Sequence, residues 1–337
     1  MVFEHLFPES LLQRKEWSAF FLAAIYSTIS IIIARLLFPA NSGIVSIIFV
    51  SIFLLPYFET VLKREEQQEE ADKIRSFWHL LSGNADAIRT YFFLFFGIYL
   101  TYMAYAFIAP SLGLDIGTVF REQLSLESLR GGAVFSFGAF SEILFNNWWV
   151  LLACFLIALI AGDGAIFFIA WNASTWGTIF GFRAVMASAH TGQNALLALL
   201  IIVVITLPHL ILEGGAYILA AIAGGVISDE IDKPSEVRKF VVYFVCAALV
   251  YALVYMIGRV LFASGSLWLH LFAIMFALGL LYMMHFVFED KYDGVVFRYN
   301  FYLFIFAIGT FALGALIETL VLYNATPLQS IYWAAMG

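Results

Sequence analysis

The fold class is decided by residues 194–228, which read NALLALLIIVVITLPHLILEGGAYILAAIAGGVIS. This long apolar run is interrupted around Pro208-His209 and around Glu213-Gly214-Gly215. A straight helix of such a length would reach roughly 54 Å, far beyond the ~30 Å hydrocarbon core of a bilayer. The stretch therefore predicts a chain embedded in a membrane that breaks or turns near Pro208.

The composition predicts the same environment for the whole chain. Of 337 residues, 63% are hydrophobic and only 12% are charged, with a mean hydropathy of +0.93. A soluble domain of this size carries roughly 25% charged residues on its surface. Most of the surface must therefore face lipid, and we expect an integral membrane protein.

Apolar runs of about 20 residues recur along the sequence, and each is long enough to cross a bilayer as a helix. They predict an all-α fold, a polytopic transmembrane helical bundle of about nine spans with broken or re-entrant helices in its centre. The fifth and sixth predicted spans overlap because no residue marks their boundary. The predicted spans are 17–38, 43–62, 91–112, 148–171, 194–213, 208–228, 240–262, 267–288 and 299–323.

Lysine and arginine residues orient the bundle, because cytoplasmic loops of membrane proteins are enriched in them. They occur in the N-terminal segment and in the connections 63–90, 229–239 and 289–298. The connections around Pro39–Ser42 and Ala263–Ser266 contain neither residue. This pattern predicts a multi-pass cell-membrane protein with a cytoplasmic N-terminus and an external C-terminus.

A second long apolar stretch, residues 147–182, is interrupted by Gly162-Asp163-Gly164. Two such stretches, each broken by Gly or Pro beside polar groups, are typical of discontinuous helices around a midplane site in transporters. We therefore predict helix breaks at Gly162, Gly164 and Pro208.

Asp163 and Glu213 are the carboxylates placed most deeply in apolar sequence. A charge at the membrane centre costs about 2.5–3.5 kcal/mol on insertion scales, so such groups are paired, protonated or in contact with water. His209 lies one helical turn before Glu213, on the same face. Asn172 and Arg183 complete the predicted intramembrane polar site, and a Glu213–Arg183 or a His209–Asp163 contact would neutralise charge.

Two interpretations of these polar residues stay open. They form either interhelical hydrogen bonds that fix packing or a site for a proton, ion or metal. One histidine with one or two carboxylates falls short of a closed metal-ligand set, so we predict no metal and no cofactor.

The sequence indicates a protein that is not an enzyme and that binds no nucleic acid. It contains no P-loop, no His-Glu-x-x-His and no Gly-x-Ser-x-Gly. The net charge is −7 and no basic tract is present. The predicted partners are the lipid bilayer and, within it, further copies of the chain or other membrane proteins.

The central region resembles a known family. Residues 208–213, PHLILE, followed by GGAYILAAIAGG, are similar to the Pro-His-Gly-x-x-Glu signature of the stage II sporulation protein M family. Asn146-Asn147 at the start of an apolar helix, Gly162 within it and Asn172 further on fit the same layout. The resemblance covers roughly residues 90–230.

This resemblance implies a sporulation-protein-M-like core over residues 91–230. Residues 1–90 would form an N-terminal helical hairpin with a cytoplasmic amphipathic connection, and residues 231–337 a C-terminal three-helix membrane segment. It also implies a non-enzymatic membrane scaffold, since the namesake anchors a peptidoglycan-remodelling complex. The alternative is a transporter or channel for a proton, cation or small solute, with the Asp, His and Glu residues forming its site.

Overall fold

The computed structural model describes residues 17–71, 81, 85–125, 137–161, 165–231, 251, 255–256, 270, 273–274 and 295–323. Over these residues the chain is almost entirely helical and forms no strand, which confirms the all-α prediction. The helices are α1 (Ser18–Leu37), α2 (Ser42–Ala71), α3 (Ala85–Ile108) with a 3₁₀ turn at Ala109–Leu112, α4 (Ile116–Val119), α5 (Arg121–Ser125), α6 (Phe137–Ala161), α7 (Ile166–Thr191), α8 (Ala195–Ile231) and α9 (Val295–Tyr323).

Within the described part of the chain, four helical segments are long and apolar enough to cross a membrane. They are Ser18–Leu37, Ala85–Leu112, Ala195–Ile227 and Tyr299–Val321, and the shorter apolar helices Ser42–Tyr57 and Ile143–Leu159 accompany them. The outward faces of these helices are apolar as well. On α1, for example, large exposed side chains follow one another at helical spacing: Phe21, Ile25, Ile29 and Ile32. A bilayer covers such a face without an energetic penalty.

The predicted spans 17–38 and 299–323 match α1 and the apolar part of α9. The single span predicted at 148–171 is wrong, because α6 ends at Ala161 and α7 begins at Ile166. Hydropathy did not identify α7 as a separate helix, because the polar side chains that this helix buries inside the bundle lower its mean hydropathy. They include Asn172, Ser174, Thr175, Thr178 and Arg183.

The predicted break at Pro208 is also wrong. Helix α8 continues through Pro208 without interruption, so the predicted spans 194–213 and 208–228 are one helix. Proline removes one backbone hydrogen bond, and neighbouring groups in a membrane bundle can satisfy the carbonyl that it frees. The apolar stretch, which is longer than one membrane crossing needs, therefore forms a single long helix.

Other predictions fall on parts of the chain outside the described residues. Gly162 and Gly164 belong to the short interval between α6 and α7, and Asp163 lies between them. The spans predicted at 240–262 and 267–288 fall almost wholly outside as well. The division of the chain into three parts stays a prediction.

Helix α8 changes its environment at its middle residue, Glu213. Before this point α8 lies at the periphery, and Leu196, Leu200 and Val204 are among its exposed residues. From Glu213 to Ile227 every residue is buried. This second half packs among α6, α7 and α9, so the ionisable residue stands where α8 enters the core.

Glycines allow the core helices to approach each other closely. A Cβ added at Gly177 of α7 would lie 2.3 Å from the carbonyl oxygen of Tyr99 in α3. A Cβ at Gly224 of α8 would lie 2.4 Å from the carbonyl oxygen of Phe155 in α6. Both clashes are with backbone, which has little freedom to yield, so these interfaces require glycine.

We expect Gly224→Ala to destabilise the full-length protein by about 1–3 kcal/mol, because the added methyl group overpacks the interface between α6 and α8. Gly309→Ala is the matched control, since a Cβ at Gly309 meets no atom within 4 Å. Thermal unfolding in detergent should show a lower Tm for Gly224→Ala and an unchanged or slightly higher Tm for the control. Equal Tm values for both variants would contradict this packing.

Candidate functional site

Glu213 is buried at the interface between α8 and α9, with 1% of its surface exposed. Gly314 of α9 makes room for it, because a Cβ at that position would lie 2.7 Å from Cγ of Glu213. Phe95 of α3 covers the following residue, Gly214, from another side. Small residues and rings therefore enclose a carboxyl group in an otherwise apolar core.

A second carboxyl group, that of Glu318, reaches the same place from α9. The Glu213 and Glu318 side chains lie within hydrogen-bonding distance of each other. Oε1 of Glu213 and Oε2 of Glu318 are both buried, and neither has a hydrogen-bond donor among the described residues. We call Glu213 and Glu318 the carboxyl pair.

Two further helices supply polar groups to the carboxyl pair. Nδ2 of Asn147, in α6, donates a hydrogen bond of 3.3 Å to Oε2 of Glu213. The guanidinium of Arg183, in α7, is buried and close enough to Glu318 for its positive charge to act on that carboxyl. Four helices therefore meet at one polar cluster: α6, α7, α8 and α9.

Aromatic rings form a layer on one side of the carboxyl pair. Tyr217, one turn beyond Glu213 on α8, lies with its ring centroid 6.2 Å from that of Trp176 and 6.4 Å from that of Phe311. Phe95 extends the layer to α3 at 5.9 Å from Trp176, and Trp148 extends it to α6 at 6.4 Å from Phe311. Tyr217 places this layer next to Glu213, within the fully buried half of α8.

Of the predicted site residues, Glu213 and Arg183 belong to this cluster. The charge of Arg183 acts on Glu318, and the predicted Glu213–Arg183 contact stays a prediction. The hydrogen bond that the structure describes for Asn172 lies within its own helix, where Nδ2 donates to the carbonyl of Phe168 at 2.7 Å.

His209 is buried one turn before Glu213 on α8, with 4% of its surface exposed. Its Nδ1 has no hydrogen-bond partner within the described ranges. The predicted His209–Asp163 contact stays a prediction, since Asp163 lies outside those ranges.

Sequence reasoning missed Glu318, Asn147 and Tyr217 as members of the site. Glu318 lies near the end of the predicted span 299–323, where a charged residue usually reaches water at the membrane surface. The one signal for Glu318 was that it is an ionisable residue within the apolar span of α9. The same kind of signal selected Glu213 in α8. Asn147 entered the sequence analysis only through the family resemblance, and nothing local to Tyr217 distinguishes it from a packing residue.

The described residues contain no group of three or more His, Cys, Asp or Glu side chains that would hold a metal ion. The cluster instead combines two carboxyls with donors, an amide and a guanidinium. Such a set can bind a proton, and it can stabilise one negative charge.

No family model, no curated protein and no solved structure matches this chain. The resemblance to the stage II sporulation protein M family therefore stays a prediction.

We expect Asn147→Leu to destabilise the protein by about 1–3 kcal/mol, because Oε2 of Glu213 then loses its donor inside the core. Asn172→Leu is the matched control and should cost less, since the carbonyl that Asn172 contacts belongs to a helix and keeps its backbone hydrogen bond. Thermal unfolding in detergent measures both variants. An equal loss of stability in the two would show that Asn147 contributes only its volume.

Proposed function

We propose that this chain is a membrane transport protein that moves a small cation, the proton included, through a site built on the carboxyl pair. The observation that supports the proposal is the contact between Glu213, in the middle of α8, and Glu318, near the end of the apolar part of α9. Ionisable groups that meet inside a membrane bundle are typical of ion pathways and proton relays.

The chemistry of the pair favours transport over packing. A buried polar group that only fixes helix packing is best satisfied by a complementary donor, such as an amide. Two carboxyls that face each other repel when both are ionised. Such a contact is a poor packing device, whereas it suits a site whose charge changes during function.

We propose nine membrane crossings for the same protein, with a cytoplasmic N-terminus and an external C-terminus. The described helices α1, α2, α3, α6, α7, α8 and α9 account for seven crossings, and the predicted spans 240–262 and 267–288 account for the other two. The nine crossings differ in their bounds from the predicted spans, because α6 and α7 replace one predicted span and α8 replaces two. This order leaves the N-terminal segment and the connections 63–90, 229–239 and 289–298 on the cytoplasmic side, as the positive-inside rule requires.

Cysteine labelling tests this topology. Ala40 and Gln193 are exposed residues in short connections that we place outside, and we place the exposed Asp86, at the start of α3, inside. In intact cells, a membrane-impermeant maleimide should label Ala40→Cys and Gln193→Cys but leave Asp86→Cys unlabelled until the membrane is opened. Labelling of Asp86→Cys in intact cells would reverse or reject the assigned topology.

Ion flux into proteoliposomes tests the transport function. Vesicles that contain the parent protein should pass protons, Na⁺ or K⁺ faster than protein-free vesicles under an imposed gradient and membrane potential. Glu213→Gln and Glu318→Gln should return the flux to the protein-free level, because each removes one of the two titratable groups. Asp86→Asn is the matched control, since Asp86 is an exposed carboxylate that pairs with Arg89 at 3.3 Å.

The transport proposal fails if the parent protein gives no flux of any of these ions above protein-free vesicles. It also fails if folded Glu213→Gln and Glu318→Gln proteins conduct as the parent does.

The second candidate function is a non-enzymatic membrane scaffold, as the family resemblance implies. The close glycine contacts at Gly177 and Gly224 favour it, because they build a tightly packed bundle with a defined outer surface. A scaffold would assemble with further copies of the chain or with other membrane proteins. A scaffold predicts that Glu213→Gln changes the stability of the protein and nothing else. It also predicts that vesicles with the parent or any variant are no more permeable to ions than protein-free vesicles.

A further inference from the structure

We propose that Glu213 and Glu318 hold a single proton between them and that this proton, not a metal cation, is the ion of the site. The proposal deepens the transport function and rests on it for its physiological meaning. The proton itself is tested separately below.

The contact between the two carboxyl groups favours a proton between them. A hydrogen bond between two carboxyl groups needs one of them to donate, and an ionised carboxylate has only acceptors. Oε1 of Glu213 and Oε2 of Glu318 are both buried acceptors without a donor from the described residues. One proton placed between the two groups supplies the missing donor and removes the repulsion of two adjacent negative charges.

The groups around the pair favour a proton over Na⁺ or K⁺. A metal cation of this kind needs several oxygen ligands, and α6 presents the amide Nδ2 of Asn147 to Glu213 instead of an oxygen. The positive charge of Arg183 acts on Glu318 from α7 and would repel Na⁺ or K⁺ at the pair. From α3 the pair is approached by rings, with Phe92 against Gly215 and Phe95 against Gly214.

Among the residues that the structure describes, the remaining titratable groups near the pair supply no further oxygen anion. Tyr217 and His209 lie on α8, one turn to either side of Glu213, and Cys154 on α6 lies near Tyr217. The phenol, the imidazole and the thiol are neutral in an apolar core.

The charges balance when one proton is present. Glu318 then carries the negative charge beside the positive Arg183, and Glu213 is neutral with Asn147 as its donor. Loss of the proton leaves one uncompensated negative charge among apolar helices, which is strongly unfavourable. A proton that leaves the site must therefore be replaced, and this requirement is what would couple the pair to transport.

The stability of the full-length protein as a function of pH tests this inference. The folded state keeps the shared proton, whereas the unfolded chain releases it once the pH exceeds the usual pKa of glutamate. The parent should therefore lose stability as the pH rises. We expect its Tm to fall by roughly 2–4 °C per pH unit relative to Glu213→Gln between about pH 6 and pH 8. In that variant an amide donates to Glu318 without titrating.

Three comparisons decide the outcome. Asp86→Asn should keep the pH dependence of the parent, because Asp86 is exposed. Replacing Na⁺ or K⁺ by choline should change the Tm of no variant at any pH. A Tm for Glu213→Gln that falls with pH as the parent's does would overturn the shared proton, and a Tm of the parent that Na⁺ or K⁺ raises at high pH would assign the site to a metal cation.

This experiment is independent of the flux measurement. If the parent shows the expected pH dependence but vesicles pass no ion, the shared proton stands and the transport function fails. If ions flow but the Tm of parent and Glu213→Gln respond equally to pH, transport stands and the shared proton fails.

Discussion

A carboxyl group in the middle of a membrane helix has to be neutralised, because lipid and apolar side chains provide nothing that solvates a charge. In this protein the group that meets Glu213 is another carboxyl group, that of Glu318. Two adjacent carboxyl groups avoid mutual repulsion when one of them is protonated, and the negative charge that remains needs a positive partner in the surrounding helices. Asn147 supplies a hydrogen-bond donor to Glu213, and Arg183 supplies a positive charge near Glu318.

The fold provides the space and the isolation that such a contact needs. Gly314 lets α8 and α9 approach until the Glu213 side chain fits between them. Helix α8 becomes buried on every side from Glu213 onward, and the ring layer around Tyr217 begins one turn further on. The polar cluster therefore lies at a boundary, with the half-exposed part of α8 on one side and a ring-lined core on the other. A site that exchanges an ion with one face of a membrane is well served by this asymmetry.

Much of this architecture could be read from the sequence, because hydropathy reports directly on helices that face lipid. It identified α1 and the apolar part of α9, and it selected Glu213 as an ionisable residue in apolar sequence. It failed for α7, since polar residues such as Thr178 and Arg183 lower the hydropathy of a helix that the bundle itself covers. It also failed at Pro208, where length and a proline predicted a break in a helix that continues.

The partner of Glu213 was beyond the reach of sequence reasoning for a different reason. Glu318 is far from Glu213 along the chain and near the end of its own span, so only the packing of α9 along α8 brings the two together. Asn147 and Tyr217 likewise acquire their roles from the helices that they face. Local pattern predicts which residues need a partner, and tertiary packing decides which partner they receive.

Infrared spectroscopy of the full-length protein tests the central claim most directly, because the C=O stretch of a protonated carboxyl is separate from the bands of a carboxylate. At neutral pH, where exposed carboxyls are ionised, we predict a protonated-carboxyl band in the parent protein that is absent from the Glu213→Gln, Glu318→Gln double variant. No such band in the parent, or the same band in the folded double variant, would contradict the shared proton and with it this account of the site.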